Sequence, residues 1–502
     1  MTRRGRQTRR RRTSDNLGQV HRSRRRTPAY EILDAAGVDA IHQQSMRILE
    51  EIGIEFRDDQ ALATWAQAGA NVQGNRVRID RELLLAKTSL APSEYVQHAR
   101  NPNHSVKIGG DHMVFAPVYG SPYVRDLSNN RRYATLQDFR NFVRLTYMSP
   151  ALSHSGGTIC EPTDVPVAKR HLDMLLAHIL LSDKPFMGSV TAPERAQDCV
   201  DMCRILFGSE FVDKNTVMTS LINCNSPLVW DETMLSVIRV YAAANQACII
   251  SPFIMQGANT PTTTVGAFAQ LNAEALAGIA YAQLVRAGAP VIYGATLSTV
   301  AMQTGAPMYG TSETQLLTLL TGQIARHYGF PMRTGGMRTG SKVADALAAY
   351  ESTQTMLPAV MAGGNFFLHA AGWLESGLSA SFAKFVMDAD QLTVMQRLAG
   401  GLEINDEELA HEAVEEVGPG SHFFGSQHTL RHYEGAFFVP ESGDLSTYEQ
   451  WQEEGEMDAL QRASAIAKKR LEDYRPPEID PSIAEALESF VEKRKSELPD
   501  GI

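Results

Sequence analysis

The sequence predicts an α/β protein, a (β/α)8 TIM-type barrel with an N-terminal helical segment and a C-terminal helical extension. Seven apolar runs of strand length each precede a helical stretch, a pattern that favours a parallel sheet covered by helices. The runs are solidly apolar, as expected for strands hidden on both faces. With 502 residues, 43% of them hydrophobic, the chain can bury one large core and carry additions.

Composition and pattern divide the chain into four parts, predicted as an Arg-rich disordered tail (1–28), an N-terminal helical and strand segment (29–134), the barrel (135–440) and a C-terminal helical extension (441–502). The tail holds eleven arginines in Met1–Thr27 against one acid, Asp15, and it lacks the apolar stretch of a secretory signal. Such a tail could contact nucleic acid, membrane phosphates or an acidic partner, or have no role. We do not expect nucleic acid or a membrane as a partner.

The five cysteines show no paired metal-ligand spacing beyond Cys199 and Cys203, four residues apart in a predicted helix. Reduced core thiols are the simplest interpretation, and they favour a cytoplasmic protein. No apolar run approaches the roughly 18 residues that cross a bilayer.

The elements follow in order after two N-terminal helices, Asp39–Ile54 and Asp58–Ala70. Thr135 and Asp138 resemble a helix-capping pair, and the strand–helix alternation begins after them. The predicted units are Leu152–Ile159 with Val167–Leu181, Phe186–Val190 with Glu194–Leu206, Val217–Ile222 with Glu232–Ala244, Cys248–Met255 with Val265–Ala287, Val291–Thr296 with Ser312–Tyr328, Pro331–Gly335 with Val343–Met361, and Asn365–Ala370 with Ser379–Leu398. The eighth strand comes either from Met113–Val118 or from the stretch near His422.

Small and polar residues follow five of these strands, at the ends where a barrel places its site. The richest stretch is Asn365–Leu378, in which an apolar strand leads directly to His369, Trp373 and Glu375. Such a cluster can hold a ligand, although a core strand with a satisfied histidine is the simpler alternative. No phosphate-binding glycine motif is present.

A second stretch, Gly418–Tyr433, combines glycines with Phe423, Phe424 and three histidines. His428 and His432 are four apart, so a metal site is conceivable, but no HExxH pattern or cysteine accompanies them. A glycine-hinged loop over the barrel mouth fits the composition better, and we expect no metal.

These stretches, with NAEALAGI (272–279) and YESTQTMLPAVMAGGNFFLHAAG (350–372), resemble the trimethylamine methyltransferase family of corrinoid-dependent enzymes. The resemblance extends from about Ala29 to about Ala463. It implies a (β/α)8 barrel that transfers a methyl group from a methylated amine to the cobalt of a separate corrinoid protein, with no corrinoid bound permanently. The trimethylamine enzymes of the family contain pyrrolysine, which we would place within or beside Gly335–Lys342, whereas all 502 residues here are ordinary. The chain therefore resembles the non-pyrrolysine branch, which acts on quaternary amines such as glycine betaine.

The resemblance also suggests a site. A quaternary ammonium is best held by aromatic faces and a nearby carboxylate, and a betaine carboxylate needs a cationic or amide partner. The candidates for substrate binding are Tyr119, Gln256, Tyr293, Arg338, Phe367, His369, Trp373 and Glu375, with Arg333 behind Arg338. The candidates for the corrinoid face are His422, Phe423 and Phe424. No residue is needed as a general acid, and a homo-oligomer is expected.

Two alternatives remain open on the sequence. The barrel could carry another reaction of methylated amines, such as tertiary-amine demethylation or C–N cleavage. The chain could also be a non-catalytic amine-binding protein. The methylated amine itself and the corrinoid partner are not determined by the residues.

Overall fold

A computed structural model describes residues 23–500, and a curled parallel sheet forms its centre. Its seven parallel strands are β1 (His112–Phe115), β2 (Phe186–Met187), β3 (Met218–Ile222), β4 (Ala247–Ile250), β5 (Val291–Gly294), β6 (Met332–Gly335) and β7 (Phe366–Leu368). They lie in the order β2-β3-β4-β5-β6-β7-β1, and every neighbouring pair is parallel. Strand β1 lies where Met113–Val118 was predicted, so the first of the two candidates for the additional strand is confirmed.

Helices cover the outer face of this sheet. They are α1 (Leu136–Tyr147), α2 (Arg170–Leu181), α3 (Pro193–Phe207), α4 (Glu232–Ala243), α5 (Thr264–Val285), α6 (Ser312–Tyr328), α7 (Ala346–Met361) and α8 (Phe382–Gly400). Thr135 and Asp138 form the predicted capping box at the start of α1. Side chains alternate across each strand, so that Phe366 and Leu368 of β7 face the interior with Ile249 and Ile292.

The strand predicted at Leu152–Ile159 is wrong, because this segment does not form a regular strand. Its backbone nevertheless connects the two outermost parallel strands. His154 N donates to Phe115 O at 3.1 Å, and Met187 N donates to Gly156 O at 2.8 Å. Gly156, whose φ is +88°, interrupts the extended backbone, so the segment forms isolated hydrogen bonds on each side and no regular ladder.

A hairpin lies at the amino ends of the parallel strands, and a small N-terminal unit packs on the outer side of α5. The hairpin pairs Glu94–Gln97 with Val106–Gly109, and Val106 and Ile108 belong to the interior cluster. The N-terminal unit comprises Ala35–Arg47, the π-helical turn Ile48–Ile52, Ile54–Arg57, Asp59–Gln67, Asn71–Gln73, Arg76–Arg78 and Arg81–Thr88. It is joined to the main domain by the parallel pairing of Ile54–Arg57 with Val229–Asp231.

The beginning of the described chain corrects part of the predicted disordered tail. Ser23–Arg24 pairs with β1, and Arg24 forms an ion pair with Asp111 at 2.7 Å. Arg26 N donates to Ala399 O at 2.8 Å. The arginines just before Pro28 are therefore ordered by sheet pairing and by acids of the main domain, which the tail's composition could not indicate. The prediction for residues 1–22 lies outside the described residues.

Two small sheets stand beyond the carboxyl ends of the parallel strands. One consists of Phe253–Gln256, Thr296–Val300 and Pro307–Met308, and the other of Tyr123–Arg125, Arg131–Tyr133, Trp373–Leu374 and Ser379–Ser381. The first arises because the predicted strands Cys248–Met255 and Val291–Thr296 each break in two at the rim of the main sheet. These small sheets carry the loops of the candidate site.

The C-terminal part contains short helices followed by two longer ones. They are Asp406–Leu409, His411–Val417, the 3-10 turn Phe423–Gly425, Gln427–His432, Tyr448–Glu453, Ala459–Asp473 and Pro481–Glu497. The alternative strand near His422 is therefore not formed. Helix Ala459–Asp473 packs on α8. Among residues 23–500, no helix combines the length and apolarity that crossing a bilayer requires.

Candidate active site

Two buried arginines at the carboxyl end of β6 form the centre of the site, and we call Arg333 and Arg338 the arginine centre. Arg333 lies on β6 in register with Phe366, an interior residue, and its side chain has no solvent exposure. Arg338 follows in the next loop and is 2% exposed. Gly335 makes room for it, because a Cβ there would lie 3.1 Å from Arg338 Nε.

The arginine centre has cationic donors that meet no acidic partner in the described part of the chain. Arg333 Nη1 donates to Ala295 O at 2.5 Å and to Thr296 Oγ1 at 2.8 Å, and Arg338 Nη1 donates to Leu297 O at 3.0 Å. Within residues 23–500, neither guanidinium forms a salt bridge, and Arg333 Nε, Arg333 Nη2 and Arg338 Nε make no hydrogen bond. Buried donors without partners cost free energy, so this arrangement points to an anionic ligand.

The lack of an acidic partner among the described residues is also reflected in the pKa values of the two arginines. Burial, and then the charge of Arg338, lower the pKa of Arg333. Burial also lowers the pKa of Arg338. Arginine has an ordinary pKa above about 12, so both side chains remain cationic at neutral pH. A carboxylate entering between them would relieve both the repulsion and the unsatisfied donors.

Aromatic rings adjoin the arginine centre. The guanidinium carbon of Arg338 lies 5.2 Å from the ring centre of Tyr309, and the Tyr309 and Trp373 rings are 5.9 Å apart in an edge contact. His369 lies 4.5 Å from Trp373 and 6.5 Å from Tyr119, between ring centres. This row of rings therefore provides faces for an organic cation next to donors for an anion.

His369 is held as a neutral imidazole. Burial and then the charges of Arg333 and Arg338 lower its pKa well below the ordinary value. Its Nδ1 has no hydrogen-bond partner within the described structure, and its backbone has a φ of +66°. A non-glycine residue in this conformation is strained, as is common at binding sites. His369 can therefore contact a ligand but cannot serve as a cationic acid at neutral pH.

The loop that carries Arg338 is fixed from α7. Glu351 accepts hydrogen bonds from Thr339 Oγ1 at 2.5 Å and from Gly340 N at 2.9 Å, and Thr355 Oγ1 accepts one from Arg338 N at 3.0 Å. Trp373 Nε1 donates to Thr339 O at 3.2 Å, which ties the loop to the aromatic row. These bonds set the position of Arg338 before any ligand arrives.

A buried ion pair on α8 supports the same loops. Lys384 Nζ lies 2.8 Å from Asp388 Oδ2, and both residues are at most 5% exposed. Lys384 also donates to Met337 O at 3.1 Å, and Asp388 accepts from Gly372 N at 2.8 Å. One pair thus holds the residue before Arg338 and the residue before Trp373.

Two of the predicted ligand residues adjoin the site with other partners. Glu375 lies two residues after Trp373, but its carboxylate is 2.9 Å from Arg131 Nε and 3.7 Å from Arg125 Nη2. Its negative charge is therefore already compensated. Gln256 lies on the small sheet that also carries Leu297. Its Nε2 donates to Thr262 O at 2.7 Å, and its buried Oε1 is unpaired.

The structure does not bring Tyr293 and Phe367 into this group. Tyr293 lies on the outer face of β5, where its hydroxyl donates to Asn272 Oδ1 of α5 at 3.0 Å. Phe367 stacks on Phe115 at 4.5 Å among the side chains of the covering helices. Their apolar runs do not reveal which face each residue occupies, because every residue of such a run is buried.

The three residues predicted for the corrinoid face lie on the surface. Phe424 is 87% exposed and Phe423 46% exposed, and His422 lies 5.8 Å from Phe424 between ring centres. Contiguous exposed apolar patches, unlike single exposed residues, mark sites of contact with a partner. They belong to residues 402–457, a segment with many exposed apolar side chains, which we call the exposed segment.

Several residues of the site were not predicted. Glu351 lies in the quoted stretch 350–372 but was not singled out, and no motif marked Tyr309, Lys384 and Asp388. A usable signal exists for the last two, since a lysine and an aspartate four apart interrupt the apolar start of α8. Tyr309 follows a short hairpin strand, and only the fold brings it to Arg338.

Comparison with known proteins identifies the class. The family model described as "Trimethylamine methyltransferase (MTTB)" matches residues 2–499. The chain therefore belongs to this family, and the predicted family resemblance is confirmed.

Similar curated proteins carry names of methyltransferases. The chain is 42% identical to a glycine betaine methyltransferase of Desulfitobacterium hafniense, over 94% of this chain and 98% of that protein. It is 28% identical to a trimethylamine methyltransferase of D. hafniense, over 91% and 92% of the two chains. It is 26% identical to a proline betaine:corrinoid methyltransferase of Eubacterium limosum, over 90% and 96%.

A solved structure supports the fold. The monomethylamine methyltransferase of Methanosarcina barkeri superposes with a TM-score of 0.51 over 89% of this chain and 88% of that chain, at 10% identity. The α/β architecture is therefore shared, with a curled, mainly parallel sheet and many helices.

Proposed function

We propose that the protein transfers a methyl group from a quaternary amine that carries a carboxylate, such as glycine betaine, to the Co(I) of a separate corrinoid protein. The observation that carries this proposal is the arginine centre, two buried guanidinium groups with unpaired N–H donors and no acidic partner among the described residues. The 42% identity to a glycine betaine methyltransferase supports the same class of substrate.

The scaffold we propose is a closed eight-membered barrel. The eight helices α1–α8 alternate with seven parallel strands and one further segment, residues 153–156. This segment donates to β1 and accepts from β2, as an inserted strand would. In such a barrel the residues after the strands at the carboxyl end build the site. Arg338 and His369 follow β6 and β7 directly.

Substrate recognition divides between the two chemical ends of a betaine. The carboxylate accepts hydrogen bonds from Arg333 and Arg338, where charge-assisted bonds are strongest. The quaternary ammonium has no N–H to donate, so it rests against the aromatic faces of Trp373, Tyr309 and Tyr119. Since the arginine centre is buried, the substrate enters by movement of a covering segment. The hairpin that ends at Tyr309 is our candidate, because Met302 at its tip is 69% exposed.

Methyl transfer from a quaternary amine requires no acid or nucleophile from the side chains of this chain. A quaternary nitrogen leaves as a neutral tertiary amine once its methyl group is displaced, so no general acid is required. This fits the neutral His369. The corrinoid of the partner protein supplies the cobalt nucleophile. The residues of this chain bind the substrate, orient one methyl group toward the barrel mouth and exclude water.

The corrinoid protein is proposed to approach along the exposed segment. Phe423 and Phe424 offer apolar surface there, and His422 is adjacent. All five cysteines are free and buried, in keeping with the reducing cytoplasm proposed for the reaction. The homo-oligomer stays a prediction.

The test is a methylation assay with reduced cognate corrinoid protein, followed by the absorbance change of the corrinoid. Glycine betaine, choline, tetramethylammonium and trimethylamine are offered separately, with S-adenosylmethionine as a control donor. We expect turnover with the carboxylated quaternary amine and much slower or no turnover with the others. Turnover with trimethylamine alone would move the protein to the tertiary-amine alternative. Binding of betaine without turnover would favour the non-catalytic one.

A further inference from the structure

Three metal-ligand side chains converge on the exposed segment, away from the arginine centre. Helix Gln427–His432 presents His428 and His432 one turn apart, with ring centres 4.5 Å from each other. Glu407 approaches them from helix Asp406–Leu409. One ligand atom from each of the three residues lies within 4.8 Å of the other two. The cluster joins two helices about twenty residues apart in sequence.

The existing contacts show that these groups are already directed at one another. His432 Nε2 lies 2.6 Å from Glu407 Oε1, and His428 Nε2 lies 3.2 Å from the backbone oxygen of Glu407. The contacts with His432 and then Arg431 hold the pKa of Glu407 at about 2, so the carboxylate is ionised at neutral pH. Arg431 Nη2 lies 2.9 Å from Glu407 Oε1, so the Arg431 guanidinium competes with any metal ion for this carboxylate.

We propose that Glu407, His428 and His432 bind one divalent transition-metal ion, for which zinc is the natural occupant. Two imidazoles and one carboxylate form a donor set that zinc accepts, with a fourth position left for water. Metal–ligand bonds of about 2.0–2.2 Å place tetrahedral ligand atoms roughly 3.3 Å apart. The distances between the present ligand atoms run from 2.6 Å to at most 4.8 Å and so include that value. The side chains are partly exposed, so small rotamer changes can bring the ligand atoms to the tetrahedral spacing.

The site would act structurally on the neighbouring partner face. Phe423–Gly425 directly precedes Ser426, which caps helix Gln427–His432. Helix Asp406–Leu409 has no buried residue, so the contacts of Glu407 with His428 and His432 are among those that hold it in place. An ion shared by the two helices would fix the orientation of Phe423 and Phe424. This inference does not depend on the methyl-transfer proposal, because its readout is metal binding.

The experiment uses the full chain stripped of metal with a chelator. Zinc is titrated against a chromophoric indicator, and cobalt(II) is titrated while its visible absorption is followed. We expect one ion per chain, with the intense bands of tetrahedral cobalt. His428→Ala, His432→Ala and Glu407→Gln should each weaken binding by at least about 100-fold, since losing even a group behind a ligand costs about 10- to 100-fold. His411→Ala, an exposed histidine of the same segment, should bind like the wild type.

Arg431→Ala separates a metal site from a simple ion-pair cluster. Removing the competing cation frees the Glu407 carboxylate, so zinc should bind more tightly. If the three groups form only an ion-pair cluster, no ion will bind, or binding will be the same in all the variants. Either result would overturn the proposal. Circular dichroism of each variant checks that the fold is kept.

Discussion

The arginine centre and the exposed segment are opposite kinds of surface in one chain. Arg333 and Arg338 are buried and charged, and oxygens of the loop after β5 and of α7 hold them before any ligand is present. The exposed segment is built from short helices, and it turns apolar side chains such as Phe424, Leu402 and Phe437 to solvent. The difference teaches that recognition of a small anion is preorganised by the core, whereas contact with a large partner is left to the periphery.

This division has a physical basis. A buried cation without a counter-ion costs free energy, which only a rigid, well-packed surrounding can offset. An exposed phenylalanine costs little in the free chain and gains its energy when a partner covers it. Substitutions in the arginine centre should therefore change the binding of the small substrate. Substitutions in the exposed segment should change the binding of the partner protein.

The largest effect is expected in the arginine centre. Arg338→Gln removes a charge that the substrate carboxylate needs, and truncating one partner of a buried charged pair costs about 2–5 kcal/mol. Steady-state kinetics with glycine betaine should show kcat/KM lowered by about 30-fold to several thousand-fold. Arg338→Lys should recover part of the loss. Any slow turnover of tetramethylammonium should be unchanged. An equal loss for both substrates would show that Arg338 does not bind the carboxylate.

The next effect concerns the support beneath the site. Asp388→Asn leaves Lys384 as an uncompensated buried charge, and breaking a buried pair in this way costs about 3–5 kcal/mol. Chemical denaturation should show this decrease in the free energy of unfolding, together with a raised KM for the substrate. Asp473→Asn breaks the exposed pair of Lys469 and Asp473, which has the same spacing on another helix. Equal destabilisation by the two variants would contradict the distinction between core and periphery.

A smaller effect is expected on the partner face. Phe424→Ala should raise the KM for the corrinoid protein by about 5- to 30-fold, the range of an interface residue worth about 1–2 kcal/mol. The KM for the amine and the melting temperature should not change, because the ring is 87% exposed. Phe437→Ala, also exposed in this segment, is the matched control. Equal effects of the two variants would mean that the interface is not centred on Phe423 and Phe424.

The smallest effect tests the outer face of the sheet. Tyr293→Phe removes the hydrogen bond to Asn272 and should lower the free energy of unfolding by about 1 kcal/mol. The KM for glycine betaine should be unaltered. A raised KM would place Tyr293 in the substrate site, contrary to its observed position on the outer face of β5, against α5.

Much of the fold could be predicted because hydrophobic patterning is local. The helix at Ser312–Tyr328 and the Thr135–Asp138 cap were predicted with the bounds that the structure has. The strand predicted at Leu152–Ile159 was wrong, because Gly156 has a positive φ and only the first and last residues of the run are apolar. The ordering of Arg24 and Arg26 was missed because their partners, Asp111 and Glu403, are distant in sequence.

By itself the sequence determined the alternation of strands and helices, the family, and the stretch in which His369 and Trp373 lie. These follow from neighbours along the chain, where periodicity and motif length carry the information. Only the tertiary structure decided which buried residues face the interior. It turned Tyr293 and Phe367 outward and paired Glu375 with Arg131. Among residues 23–500 it left Arg333 and Arg338 without an acidic partner. The reason is that charge compensation depends on distances in space, which an apolar run or a loop composition does not specify.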